Sequence, residues 1–147
     1  MQTNIFKITS ILFVLAGCTL SNEKDKAVPF ATVGKGQYSA GPKQEKIINS
    51  QEEWEEFLVA WHKGEIDRFN ENEIDFDRYQ IIAVVDTVRP SGGWGINITR
   101  VVDYSGKIVV TVRVNAPKGP APDVLTRPYH IVRIPIHSNS IEFKHIN

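Results

Sequence analysis

The lone cysteine, Cys18, is the most reactive side chain in the sequence, and its setting points to one chemistry. It follows Leu15-Ala16-Gly17 at the end of an apolar run, residues 8–15, which an n-region charged only by Lys7 precedes. The run is far shorter than the roughly 20 residues a spanning helix needs, so it reads as the h-region of an export signal. A small residue before the cysteine matches a bacterial lipobox, in which the thiol is acylated and the chain is cut ahead of it. The expected product is a lipoprotein lipidated at Cys18, with palmitate among its acyl groups. With one cysteine no internal disulfide can form, so packing must hold the exported domain together.

Other catalytic chemistry lacks its partners. If Cys18 is acylated, a Cys-His dyad is excluded. Ser91 lies in Pro90-Ser91-Gly92-Gly93, which is a turn rather than a nucleophile elbow. The histidines are His62, His130, His137 and His145, and none has zinc-motif spacing to another ligand. His130, His137 and His145 could gather near the end of the chain, but ordinary partly exposed histidines explain them better. Glu73, Asp75 and Asp77 lack a calcium-loop register and read as a solvated acidic loop. The expectation is therefore no catalytic residue, no metal and no cofactor. The 17 basic and 17 acidic side chains balance, which argues against nucleic acid, because that binding depends on clustered cations. Attachment to a membrane must come from the lipid.

Residues 91–95, Ser91-Gly92-Gly93-Trp94-Gly95, look like a phosphate cradle, but they precede a strand, and cradles use the amides of a helix N-terminus. Three glycines allow positive φ and close backbone approach, and Trp94 offers an anchor of the kind that dominates interfaces. Trp94 can equally be a core residue of the strand that follows, and both readings stay open.

The elements that would carry these loops follow from periodicity. Residues 1–17 form the lipoprotein signal peptide and residues 18–28 a polar, flexible tether. Residues 29–147 form one domain. Short strands are expected at 30–33, 37–40 and 45–49. Ser50 with Glu53 forms a capping box, and glutamates crowd the helix start. Trp54, Phe57, Leu58 and Trp61 make one apolar stripe, His62 and Lys63 suit the C-terminal end, and Gly64 supplies the stop. Phe69, Ile74 and Phe76 are expected core anchors in the connector. Residues 79–85 are almost continuously apolar, as in a central strand buried on both faces. Residues 94–104 and 107–115 flank the turn signal Ser105-Gly106, with Ile108, Val110, Val112 and Val114 on one face. Residues 116–122 are a Pro- and Gly-rich loop. Residues 129–136 and 141–146 form a last pair, with Pro135 at an edge or bulge. Strands without βαβ alternation give an α+β fold: mostly antiparallel β-sheet, sandwich-like or half-barrel, with one amphipathic helix packed on it.

The segments Glu53-Trp54-Glu55-Glu56-Phe57, Ile74-Asp75-Phe76-Asp77-Arg78-Tyr79, Arg89-Pro90-Ser91-Gly92-Gly93-Trp94-Gly95-Ile96 and Thr126-Arg127-Pro128-Tyr129-His130-Ile131-Val132, in this order, resemble the PrcB C-terminal domain family. The resemblance covers about residues 37–143. It is sharpest at the R-P-S-G-G-W turn and the T-R-P-Y segment, although the family usually has tyrosine where Trp94 stands. The member that gave the family its name is a non-catalytic subunit that binds a protease partner and stabilises the complex, and the resemblance does not by itself imply a protease partner for this chain. A second likeness is to chagasin-type inhibitors of papain-like cysteine proteases, which fill a cleft with comparable loops. Here 89–94 and 127–129 echo two of the three loops, and Gly119-Pro120-Ala121 lacks the glycines expected of the third.

The expected function is thus a non-enzymatic, lipid-anchored envelope protein, at the outer membrane or cell surface, that binds a protein partner with a protease as one candidate. Arg89, Pro90, Gly92, Gly93, Trp94, Arg127, Pro128 and Tyr129 are the candidate contacts. The alternative is a chagasin-like cysteine-protease inhibitor.

Overall fold

A computed structural model describes residues 25–37, 41–59 and 73–146. The signal peptide, Cys18, the first part of the tether, the strand expected at 37–40 past Gln37, Trp61, His62, Lys63, Gly64 and Phe69 lie outside them.

Among the described residues, eight strands and one helix run in the order β1 (Lys26–Ala27), β2 (Ala31–Gly36), β3 (Gln44–Ile48), α1 (Gln51–Val59), β4 (Tyr79–Val85), β5 (Gly95–Asp103), β6 (Lys107–Asn115), β7 (Tyr129–Pro135) and β8 (Ser140–Ile146). They form two four-stranded sheets, β1-β5-β6-β8 and β2-β7-β4-β3. All pairings but one are antiparallel; β6 and β8 run parallel. The expected α+β sandwich is what forms.

Three layers follow from side-chain alternation. Strand β4 is buried on both faces because it lies in the middle layer. Ile81, Ala83 and Val85 face α1 and join Trp54, Phe57, Leu58 and Ile74 in one core. Ile82 and Val84 face the other way and pack with Ile98, Ile108, Val110 and Val112 of the first sheet. Full burial of each such aliphatic side chain contributes roughly 1.5–3 kcal/mol.

Helix α1 starts where its capping box directs. The Ser50 hydroxyl accepts the Glu53 amide at 3.2 Å, while the Glu53 carboxylate accepts from the Asn49 amide at 2.7 Å, one residue further out than the motif requires. Phe76 packs on the helix-side core as expected. In the β5–β6 hairpin Ser105 and Gly106 both take positive φ, 48° and 106°, which matches the twist of the strands.

Two expectations need correction. The tether does not extend to residue 28: Lys26 and Ala27 pair with Asp103 and Val102, and Val28 is buried with its amide donating to the Val101 carbonyl. Strands β7 and β8 are not a pair. The former sits between β2 and β4, buried on both faces, whereas β8 buries only alternate residues and lies as an edge strand beside β6. A four-residue connection can make a hairpin or cross between sheets, and burial of Ile131 to Ile134 selects the second. Pro135 ends β7 beyond its last pairing with β2, Ala31 with Arg133, so its missing donor costs no ladder bond.

Candidate functional site

The β4–β5 connection, 86–94, crosses from one sheet to the other, and the β6–β7 connection, 116–128, crosses back at the same end. The two are joined. Arg89 and Thr126 form an isolated antiparallel bridge, with Arg89 N donating to Thr126 O at 2.7 Å and Thr126 N to Arg89 O at 3.0 Å. The Thr126 hydroxyl donates to Ser91 O at 2.8 Å, and Gly92 N donates to Pro122 O at 2.8 Å. At the base, Asp86 N donates to Pro128 O at 2.8 Å. The β2–β3 connection is tied in as well: Arg127 N donates to Gln37 O at 2.8 Å, and the Arg127 guanidinium donates to Gly41 O. The R-P-S-G-G-W turn and the T-R-P-Y segment are therefore one ladder-linked unit.

Its electrostatic centre is Asp86, a residue sequence reasoning missed. Asp86 is 3% exposed, and its carboxylate accepts from Arg89 Nε at 2.7 Å and Nη2 at 3.1 Å, a bidentate pair. A third bond comes from Thr87 N at 2.8 Å. The same guanidinium lies over the Trp94 ring, 4.4 Å from its centroid, as a cation on a π face. The indole N–H donates to the Ser91 hydroxyl at 3.2 Å. Trp94 is half-buried: the Arg89 guanidinium caps one ring face, and the residue still reaches the surface.

Gly93 takes the positive φ expected of this turn, and the close approach at Gly92 and Gly93 is made by the proline-rich connection. Gly92 is buried, and a Cβ there would stand 3.1 Å from Pro122 Cδ. Gly93, at φ +78°, would bring a Cβ within 2.9 Å of Pro117 Cβ. The missing side chains admit the proline loop rather than a partner. Tyr129 is 3% exposed and packs across Gly36, where a Cβ would meet its ring at 2.8 Å, and Pro128 is buried too. Gly92, Pro128 and Tyr129 thus hold the loops in place instead of meeting solvent. Arg89 and Arg127 are half-exposed, and Pro90 and Gly93 are exposed.

The unit shows several apolar side chains to solvent, among polar ones such as Thr87, Lys118 and Asp123. Val88 is 45% exposed, Val124 38% and Leu125 69%, all flanking the Arg89–Thr126 bridge beside exposed Pro90. The sequence signal for them was weak: isolated aliphatics in a turn-rich stretch read as ordinary loop residues.

The histidines do not gather. His130, on β7, is 4% exposed and stitches three strands across the sandwich. Ile98 N of β5 donates to His130 Nδ1 at 2.9 Å. The proton must then sit on Nε2, which donates to the Thr32 hydroxyl of β2 at 2.9 Å. Both partners stand where a bulge begins, Thr32 before the shift to Gly34 and Ile98 before the shift to Arg100, as expected of bulges that re-aim groups. Burial, assisted by the charge of Lys35, lowers the His130 pKa to about 4. His137 lies in the β7–β8 connection at the other end, and His145 pairs with Glu45 between β8 and β3. Among the described residues no three His, Cys, Asp or Glu side chains converge on a common point.

The fold and this site define a small two-sheet module whose loops are locked into a rigid apolar end. Residues 81–135 match the family described as PrcB C-terminal, so the resemblance drawn from the two motifs is borne out over that stretch. The match runs from within β4 to the end of β7 and contains both crossing connections. No curated protein and no solved structure matches the chain.

Proposed function

We propose that this protein is a non-enzymatic binding module that docks a protein partner, a protease-associated one as the family implies, through the loop end of the sandwich. One observation carries the reading: the Arg89–Thr126 bridge fixes four exposed apolar side chains, Val88, Pro90, Val124 and Leu125, on a hydrogen-bonded unit. Rigid loops lose little entropy on binding, and apolar anchors held on them are the usual source of interface energy. Replacing both Val88 and Leu125 by Asp should lower partner affinity at least tenfold, measured by quantitative co-purification, and leave the melting midpoint within a few degrees. Unchanged affinity would remove this surface from the interface.

The chain is held at the envelope, in this proposal, by lipid on Cys18. Labelled palmitate is expected to enter the protein, and Cys18→Ser to abolish the labelling. Labelling of the serine variant would refute the anchor.

The chagasin-like alternative gains one supporting feature, the side-by-side placement of 89–94 and 122–128 at one end. The third loop it requires, 119–121, belongs to the same connection as the second, so two connections stand where that alternative needs three.

A further inference from the structure

Among the described residues no layer covers the outer face of the β1-β5-β6-β8 sheet, and its charge differs from that of the helix side. A shallow groove of about 560 Å³ runs across β5, β6 and β8 on this face. Val102, Val109 and Thr111 form its floor, and exposed Arg100, Arg113 and Lys144 stand along it. None of these three cations is paired with an acid among the described residues; the one acid–base pair on the face, Lys107 with Glu142 at 2.8 Å, lies outside the groove. Tyr104, 39% exposed, closes one end with an amphipathic ring.

The opposite surface carries the reverse charge. Helix α1 covers the outer side of the other sheet and presents Glu52, Glu55 and Glu56 to solvent, with Glu73, Asp75 and Asp77 beside it. Among the described residues acids outnumber bases on the helix side, where Lys46, Arg78 and Arg133 are the cations, while bases outnumber acids on the open sheet. Such a body turns its cationic face toward an anionic surface. The chain also enters the fold at β1, the edge strand of this same sheet, and only seven residues separate Cys18 from Lys26. A segment of that length reaches at most about 30 Å.

We propose that the open face of the β1-β5-β6-β8 sheet docks on an anionic lipid bilayer, with headgroup phosphates between Arg100, Arg113 and Lys144. The face then lies along the membrane, the acidic helix points away, and the loop end stays at the side, free for a partner. The charge argument stands without the acylation of Cys18; only the reach of the tether rests on that reading.

The test uses the chain from residue 18 onward carrying Cys18→Ser, so that neither acyl groups nor the apolar leader contribute to its outcome. Partition is measured by co-sedimentation with vesicles of phosphatidylcholine alone and with about a third phosphatidylglycerol. Three cations near an anionic surface contribute about a hundredfold together, so the anionic vesicles should take up the protein about a hundredfold better, and added salt should reduce the difference. Arg100→Gln with Arg113→Gln and Lys144→Gln should abolish the preference while the melting midpoint holds, and Glu52→Gln with Glu55→Gln and Glu56→Gln should leave it in place. Equal partition into both vesicles, or a preference that survives the triple replacement of the cations, would overturn the proposal. Inorganic phosphate should release no more protein than chloride at equal ionic strength; release specific to phosphate would mean a small-anion site and would also overturn it.

Discussion

Replacing Arg89 by alanine should destabilise the protein by roughly 3–5 kcal/mol, the cost of leaving a buried carboxylate without its partner. Asp86 is 3% exposed and receives two of its hydrogen bonds from the Arg89 guanidinium. Alanine also uncovers the Trp94 ring, on which that guanidinium lies. Lysine at this position should recover only part of the loss, because a point charge cannot make the bidentate fork or stack on the indole. Asp86→Asn should cost less than Arg89→Ala, since Arg89 retains contact with water. Urea unfolding of the three variants orders them: Arg89→Ala below Arg89→Lys, and both below the parent. If Arg89→Ala unfolds within 1 kcal/mol of the parent, by the magnitudes expected of buried pairs, the ion pair does not hold the loop unit together.

The second large effect concerns pH. In the folded protein His130 is neutral, with a pKa of about 4, whereas in the unfolded chain it titrates near 6.5. Between these values the unfolded state binds the extra proton, so stability contributed by this group is complete above about pH 6.5 and is lost as the pH falls toward 4. A shift of this size corresponds to about 3 kcal/mol across the window. Burial is the main cause and the charge of Lys35 adds to it, and protonated Nδ1 would also become a donor facing the Ile98 amide, itself a donor. His130→Asn keeps an acceptor but does not titrate, so its unfolding free energy should vary less between pH 7 and pH 4 than that of the parent. Parallel curves for the two proteins would show that His130 takes up its proton without disturbing the β5–β7 contact.

Much of the architecture was legible in the residues because the physics there is local. The period-two alternation of Ile108, Val110 and Val112, the Ser105-Gly106 turn and the Ser50 cap each act within a few residues, and each forms as expected. What could not be read was long-range. Nothing in 136–139 reveals that the chain changes sheets there, and nothing near residue 26 announces two residues of strand. The β2 and β5 bulges are visible only once His130 is seen between them. The candidate site divides along the same line. Residue types singled out 89–94 and 126–129 as candidate contacts, and the Arg89–Thr126 bridge is what brings them side by side. Which members would be buried was set by packing between the two connections, so Gly92, Pro128 and Tyr129 became supports, while Val88, Val124 and Leu125 emerged at the surface. Asp86 had a readable signal, an acid three residues before Arg89 directly after a buried strand, which the search for catalytic groups passed over.

The central proposal is a single division of labour: one end of the sandwich is the protein-binding end, where a buried ion pair and two hydrogen-bonded crossing connections hold the loops together. A photoreactive amino acid placed at Leu125 tests this most directly, with the same amino acid at Ser138, exposed in the β7–β8 connection at the other end, as the reference. On irradiation in the native cell envelope, Leu125 should give a discrete crosslinked product that Val88→Asp removes, and Ser138 should give none. Absence of a product at Leu125, or the same product from both positions, would contradict it.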